Sequence, residues 1–71
     1  LLAEVKTVEH NLRWSDFRPH QPPALSAWNG DALVVWVHTT GVYVMRWGDM
    51  LAAGFAPRKS LTVEQARALA C

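Results

Sequence analysis

The sequence predicts an α+β fold: an N-terminal helix, an antiparallel meander of two or three strands, and a C-terminal helix. Three observations lead to this class. Residues 32–47 are the most apolar and most strongly patterned part of the chain, apolar residues recur at helical spacing near the N-terminus, and a helix-capping sequence lies near the C-terminus. The 71 residues fit one small domain, which is either complete or a piece of a longer chain.

Residues 32–47 predict a β-hairpin. The runs 32–38 and 42–47 are rich in Val, Trp and Tyr, which suit a pleated and half-buried surface. Between them, Thr39-Thr40-Gly41 fits a three-residue loop with the glycine in the left-handed conformation. We therefore expect His38 to face Val42, and the pairing to continue outward from there.

This pairing gives the hairpin two different faces, because successive side chains alternate across a sheet. One face should be core, and the other should carry a histidine and an arginine around an apolar centre. The N-terminal helix either covers that second face or leaves it as an exposed contact surface. The expected core face is Leu33, Val35, Val37, Tyr43, Met45 and Trp47, and the second face is Val34, Trp36, His38, Val42, Val44 and Arg46.

The N-terminal helix rests on the spacing of Leu1, Val5, Val8 and Leu12, which places four apolar side chains on one helical stripe. Its Val and Thr residues are mediocre helix formers, so it should depend on packing against the hairpin. Ser15-Asp16 and the prolines that follow end any helix and predict an extended segment.

Two elements flank the hairpin. Residues 24–28, which precede the turn sequence Asn29-Gly30, form either a third strand, which the pattern slightly favours, or a short helix opened by Pro23. After the hairpin, residues 50–53 can form one helical turn.

The C-terminal helix has the clearest start in the chain. Thr62 and Gln65 have the spacing of a capping box, in which each side chain bonds the backbone of the other residue. Leu61 is placed to contact Ala66. The helix is predicted over residues 63–70.

Composition narrows the classes of protein that fit. With 51% hydrophobic and 18% charged residues, the chain is typical of a globular domain. A net charge of +1 gives little attraction to nucleic acid or to a membrane, and no apolar run reaches a membrane span of about 18 residues. Cys71 is the only cysteine, so no disulfide framework exists and a cytoplasmic location is expected.

No motif in the sequence predicts catalysis, a cofactor or a metal. The three histidines and Cys71 lack the spacing of metal ligands, and no serine lies in a nucleophile motif. His38 at a strand end has no evident partner for acid–base chemistry. We therefore expect a binding protein that is not an enzyme.

Two binding functions remain. The preferred hypothesis is protein–protein interaction through the second face of the hairpin, with another protein or a second copy as partner; its predicted contact residues are Val34, Trp36, His38, Val44 and Arg46. The alternative is DNA binding through the basic C-terminal loop and helix, with Arg58, Lys59 and Arg67 supported by Arg46.

Overall fold

Five strands and three helices make up the fold, and a computed structural model describes all 71 residues, from Leu1 to Cys71. A short 3-10 helix covers Trp14–Asp16. The α+β class is confirmed, and the order of its elements is partly as predicted. The strands are β1 (Leu2–Thr7), β2 (Leu12–Arg13), β3 (Ala32–His38), β4 (Gly41–Arg46) and β5 (Ser60–Leu61); the helices are α1 (Gln21–Ala27), α2 (Trp47–Ala52) and α3 (Val63–Leu69).

The central strand of the main sheet is β3. It runs parallel to β1 on one side and antiparallel to β4 on the other, so the sheet has the order β1-β3-β4. Parallel neighbours need a long connection, and residues 8–31 supply it. A separate ribbon pairs β2 with β5, with Leu12 opposite Leu61 and Arg13 opposite Ser60.

The predicted N-terminal helix is wrong, because residues 2–7 form strand β1. Its β-branched residues Val5 and Thr7 favour a strand, and all six of its residues pair with β3. Leu12, which completed the predicted helical stripe, lies in β2 beyond a turn and is fully buried there. Long-range pairing therefore decides the structure of this segment.

The hairpin is confirmed, but the predicted register is wrong by one residue. Thr39 and Thr40 alone make the turn, and Gly41 pairs with His38. Side chains fix this turn: the Thr40 backbone N–H donates to His38 Nδ1 (3.1 Å), and the Thr40 hydroxyl lies 2.7 Å from the Tyr43 hydroxyl. These bonds hold the shorter loop in place.

A shift of one residue in the pairing exchanges the two faces of one strand relative to the other. Val34 and Trp36 therefore share the inner, buried face with Tyr43 and Met45. The expected core positions Leu33, Val35 and Val37 lie on the other face instead and are half-buried. The Trp36 indole N–H is satisfied inside the core, where it donates to the Val8 carbonyl at 2.9 Å.

Residues 21–27 form helix α1, so the short-helix alternative is correct and the third strand of the meander is wrong. Pro22 lies in the first turn, where its missing N–H costs no helical hydrogen bond. Helix α2 begins at Trp47, three residues earlier than the predicted turn. None of the three helices is both long enough and apolar enough to cross a lipid bilayer.

The capping box of α3 is confirmed. The Thr62 hydroxyl accepts the Gln65 backbone N–H at 3.1 Å, and the Gln65 side-chain oxygen accepts the Thr62 N–H at 2.9 Å. Both Leu61 and Ala66 are buried, as the predicted contact requires. The helix ends at Leu69, and the chain then runs beside β4, where the Cys71 N–H donates to the Val44 carbonyl.

The core lies on the inner face of the sheet and contains twelve buried apolar residues. At one end four aromatic rings pack together with centroid separations of 5.4–6.0 Å; they belong to Trp14, Phe17, Trp47 and Phe55. The Trp47 indole N–H donates to the Ser26 hydroxyl at 2.9 Å. No buried side-chain nitrogen or oxygen lacks a partner.

Replacing Trp36 tests this placement of the core. Trp36→Ala should lower the free energy of unfolding by about 3–5 kcal/mol, because a fully buried indole is removed and a cavity remains. Trp28 is 43% exposed, so Trp28→Ala is a control with the same chemical change and should lose less than about 1 kcal/mol. Urea unfolding followed by circular dichroism measures both; equal losses would contradict the assignment of Trp36 to the core.

Candidate functional site

The sheet has a second side, here called the outer face, on which the side chains form three rows of three. The middle row consists only of valines. No acidic residue lies in any row, and Arg46 at one corner is the only charged group. The rows are Ala3, Leu33 and Arg46; Val5, Val35 and Val44; and Thr7, Val37 and Val42.

No helix covers the outer face. The buried hydrophobic residues of the helices, Leu25, Trp47, Met50 and Ala66, all belong to the core cluster on the inner side. At the two margins of the outer face, Val5 is 58% exposed and Val42 is 60% exposed. Between these margins, four apolar residues of the outer face are half-buried: Leu33, Val35, Val37 and Val44. The result is a contiguous apolar surface on a very small protein.

Strand β1 shows an inverted polarity that accounts for this surface. Its charged residues Glu4 and Lys6 point inward, while Val5 points outward. The inward charges pair with each other, with Lys6 Nζ 3.7 Å from Glu4 Oε1. Both also bond the Gln21 amide at the start of α1: Lys6 Nζ donates to Gln21 Oε1 at 2.7 Å, and Gln21 Nε2 donates to Glu4 Oε1 at 2.8 Å. Lys6 Nζ also lies 4.9 Å from the centre of the Phe17 ring.

The structure divides the contact residues predicted for protein binding. Val34 and Trp36 have no exposed surface, so the expectation that they form an open face is wrong. Val44 and Arg46 do lie on the outer face. The sequence thus predicted an open apolar sheet face but not its members Leu33, Val35 and Val37, because the loop was taken as three residues long. Val5 was missed because its segment was predicted as a helix. With a two-residue loop, the alternation of side chains places Leu33, Val35 and Val37 on the outer face together with Val44 and Arg46.

His38 closes the hairpin. Its Nε2–H donates to the Glu9 carbonyl at 3.0 Å, since a carbonyl can only accept, and its Nδ1 accepts from Thr40. The side chain is 12% exposed. In this position it ties the segment after β1 to the tip of the hairpin.

The cations of the alternative DNA-binding set lie on different parts of the molecule. Arg58 and Lys59 line one open cavity of about 490 Å³, together with Arg13, Trp14, Ser15 and Ser60. Arg46 lines a separate cavity of about 330 Å³ next to α2. Arg67 on α3 interacts with Tyr43 on the inner side of the sheet. The four residues therefore do not form one surface.

Groups of three or more metal-ligating side chains do not come together anywhere in the structure. His10 hydrogen-bonds Asp16, with Nε2 3.0 Å from the nearer carboxylate oxygen. The same carboxylate accepts the Arg13 backbone N–H at 2.8 Å. Asp16 therefore acts as a local tie between β2 and the 3-10 helix.

Comparison with protein-family models, with curated proteins and with solved structures finds no match to this chain.

The hydrogen bond between the Thr40 and Tyr43 hydroxyls predicts how Tyr43 titrates. The hydrogen bond with Thr40 lowers the pKa of Tyr43 below its ordinary value of 10.0, Arg67 lowers it further, and burial acts in the opposite direction. Tyr43 is the only tyrosine, so phenolate absorbance reports it directly. We expect a midpoint below 10.0 that rises in Thr40→Val.

The matched control is Thr39→Val, because the Thr39 hydroxyl makes no hydrogen bond and its loss should leave the midpoint unchanged. If both variants titrate like the parent protein, the bond between Thr40 and Tyr43 does not perturb the phenol. Because the folded pKa lies below the unfolded one, ionised Tyr43 adds stability only at alkaline pH, and this contribution disappears as the pH falls through the folded pKa.

Proposed function

We propose that this protein is a non-enzymatic interaction module that binds a second copy of itself through the outer face of its sheet. The observation that carries this proposal is the inverted polarity of β1. The strand turns Glu4 and Lys6 toward the inner side, where they are half-buried, paired with each other and hydrogen-bonded to Gln21, and it presents Val5 to solvent. A strand that faced only water would gain from the opposite arrangement, since burying charges is unfavourable even when they are paired.

The shape of the outer face suits another sheet. Three adjacent strands present a flat surface of apolar side chains, and two such surfaces stack about 10 Å apart in β-sandwiches. Stacking two copies would give a six-stranded sandwich with the valine rows at its centre. The exposed valines would then be buried without any change in the fold.

The charge distribution favours a second copy over a strongly charged partner. Arg46 is the only charge on the outer face, and it lies at a corner, so two copies related by a two-fold axis can keep these arginines apart. The face has no row of like charges that would need a complementary partner. Self-association also enlarges a core that is small in a 71-residue chain.

The size of the outer face sets the strength of the expected dimer. Three strands paired over about six residues cover about 14 Å by 20 Å, or roughly 280 Å² per copy. Stable interfaces bury about 800 Å² per partner, so the sheets alone make a small interface. We therefore expect a weak and reversible dimer whose population depends on protein concentration.

Sedimentation equilibrium over a wide concentration range tests the proposal. Val5→Lys should weaken self-association at least tenfold, because two lysines would be brought into the apolar interface near each other. Val5 is already exposed on an edge strand, where lysine is well tolerated, so the monomer should keep its melting temperature.

Leu51→Lys is the matched control, since Leu51 is an exposed apolar residue on α2 and belongs to none of the three rows of the outer face. It should leave the dimer unchanged. A parent protein that stays monomeric up to millimolar concentration would contradict the proposal, and so would an equal effect of the two lysine variants.

A further inference from the structure

We propose that the open cavity beside the β2–β5 ribbon binds a nucleotide, with its phosphate held by Arg13, Arg58 and Lys59 and its base against the indole of Trp14. This site is separate from the outer face. The cavity of about 490 Å³ is within the usual range for small-molecule sites, about 300–1,000 Å³. Its remaining lining residues, Ser15 and Ser60, add two hydroxyl groups that can donate to a phosphate.

The three cations are uncompensated. The chain contains seven Lys and Arg residues, and three of them line this one cavity without any acidic residue among its lining residues. None of the three forms an ion pair within the chain; of the Lys and Arg residues, only Lys6 does. The nearest acidic residue in sequence, Asp16, is engaged by His10 and by the Arg13 backbone. Cations gathered in this way raise the local concentration of anions.

The pairing of β2 with β5 brings the three cations to one cavity. The ribbon buries Leu12 and Leu61 on one side and presents Arg13 and Ser60 on the other. The backbone N–H of Trp14 donates to the backbone carbonyl of Lys59 across the ribbon, at 3.4 Å. Two segments about 45 residues apart in sequence are thus held together by backbone contacts, so the cations occupy fixed positions.

Arg58 has an unusual backbone conformation. Its φ of +68° is the only positive φ among the non-glycine residues, and Gly, Asn or Asp would adopt it more easily. Residues held in this left-handed region are found preferentially at functional sites, where the surrounding structure maintains them. An arginine at this position brings a side chain to the cavity that a glycine would lack.

Trp14 supplies a flat and rigid wall. Its ring packs against Trp47 and Phe55, with centroid separations of 5.5 and 5.4 Å, yet the residue stays partly exposed and lines the cavity. Its indole N–H has no partner within the chain, whereas those of Trp36 and Trp47 are both bonded. A planar aromatic wall next to phosphate-binding cations matches the two parts of a nucleotide, because bases stack on aromatic side chains.

Isothermal titration calorimetry at low salt, with ATP, tripolyphosphate and a short single-stranded oligothymidylate as probes, tests the proposal. ATP should bind about tenfold more tightly than tripolyphosphate, because only ATP carries a base. The oligothymidylate distinguishes the two sources of the same chemistry: tighter binding than ATP assigns the site to a nucleic-acid strand, and weaker binding assigns it to a free nucleotide. For a strand, three phosphate contacts predict a slope of log K against log salt near −2.

Arg58→Gly is the decisive variant. It should lower ATP affinity about tenfold or more while the melting temperature stays the same or rises, because glycine adopts a positive φ without strain. Trp14→Phe should lower the affinity of ATP and not that of tripolyphosphate. Arg18→Gln removes the same charge from an exposed arginine outside the cavity and should have little effect.

Three results would overturn the proposal: no saturable binding of ATP or of the oligonucleotide, equal affinity for ATP and tripolyphosphate, or an equal loss in Arg18→Gln and Arg58→Gly. Amide chemical shifts give an independent check. They should change on ATP addition at residues 13–15 and 58–60 and at the Trp14 indole N–H, and changes confined to other residues would also overturn it.

Discussion

The register between β3 and β4 is the constraint on which the rest of the structure depends. The two-residue turn, held by His38, Thr40 and Tyr43, decides which side chains of the hairpin point inward. With this register Trp36 enters the core and bonds the Val8 carbonyl. A shift of one residue would place Trp36 and Arg46 on the same face, so either the indole would be exposed or the arginine would be buried. A few polar atoms at the turn therefore control the placement of the whole core.

Because the core lies on only one side of the main sheet, the two faces of that sheet differ in chemistry. The inner face is closed by the three helices and by an aromatic cluster. The outer face keeps its valines, while the two charges of β1 pair with each other and are hydrogen-bonded by Gln21. The uncompensated cations lie elsewhere, beside the β2–β5 ribbon. Self-association and nucleotide binding are therefore proposed for separate surfaces and can be tested separately.

Local features were predictable from the sequence, and long-range ones were not. The capping box of Thr62 and Gln65 depends on residues three positions apart, and the strand-forming runs of the hairpin are equally local. Strand β1 pairs with residues 30 positions away, and its local sequence combines helical spacing of apolar residues with β-branched Val5 and Thr7, so the distant partner decides between helix and strand. The basic cavity depends on two strands of only two residues each, which leave no recognisable pattern.

The parallel pairing of β1 with β3 also has a consequence for how the chain reaches its native state. The β3–β4 hairpin closes over a two-residue loop, whereas β1 must wait until the crossover formed by residues 8–31 is in place. Contacts of such sequence separation form late, since the entropy of closing the loop is lost before the contacts compensate for it. During synthesis β1 leaves the ribosome before β3, and we expect it to dock after the hairpin has formed. Its alternating Glu4 and Lys6 then keep a strand without a partner in solution until β3 arrives.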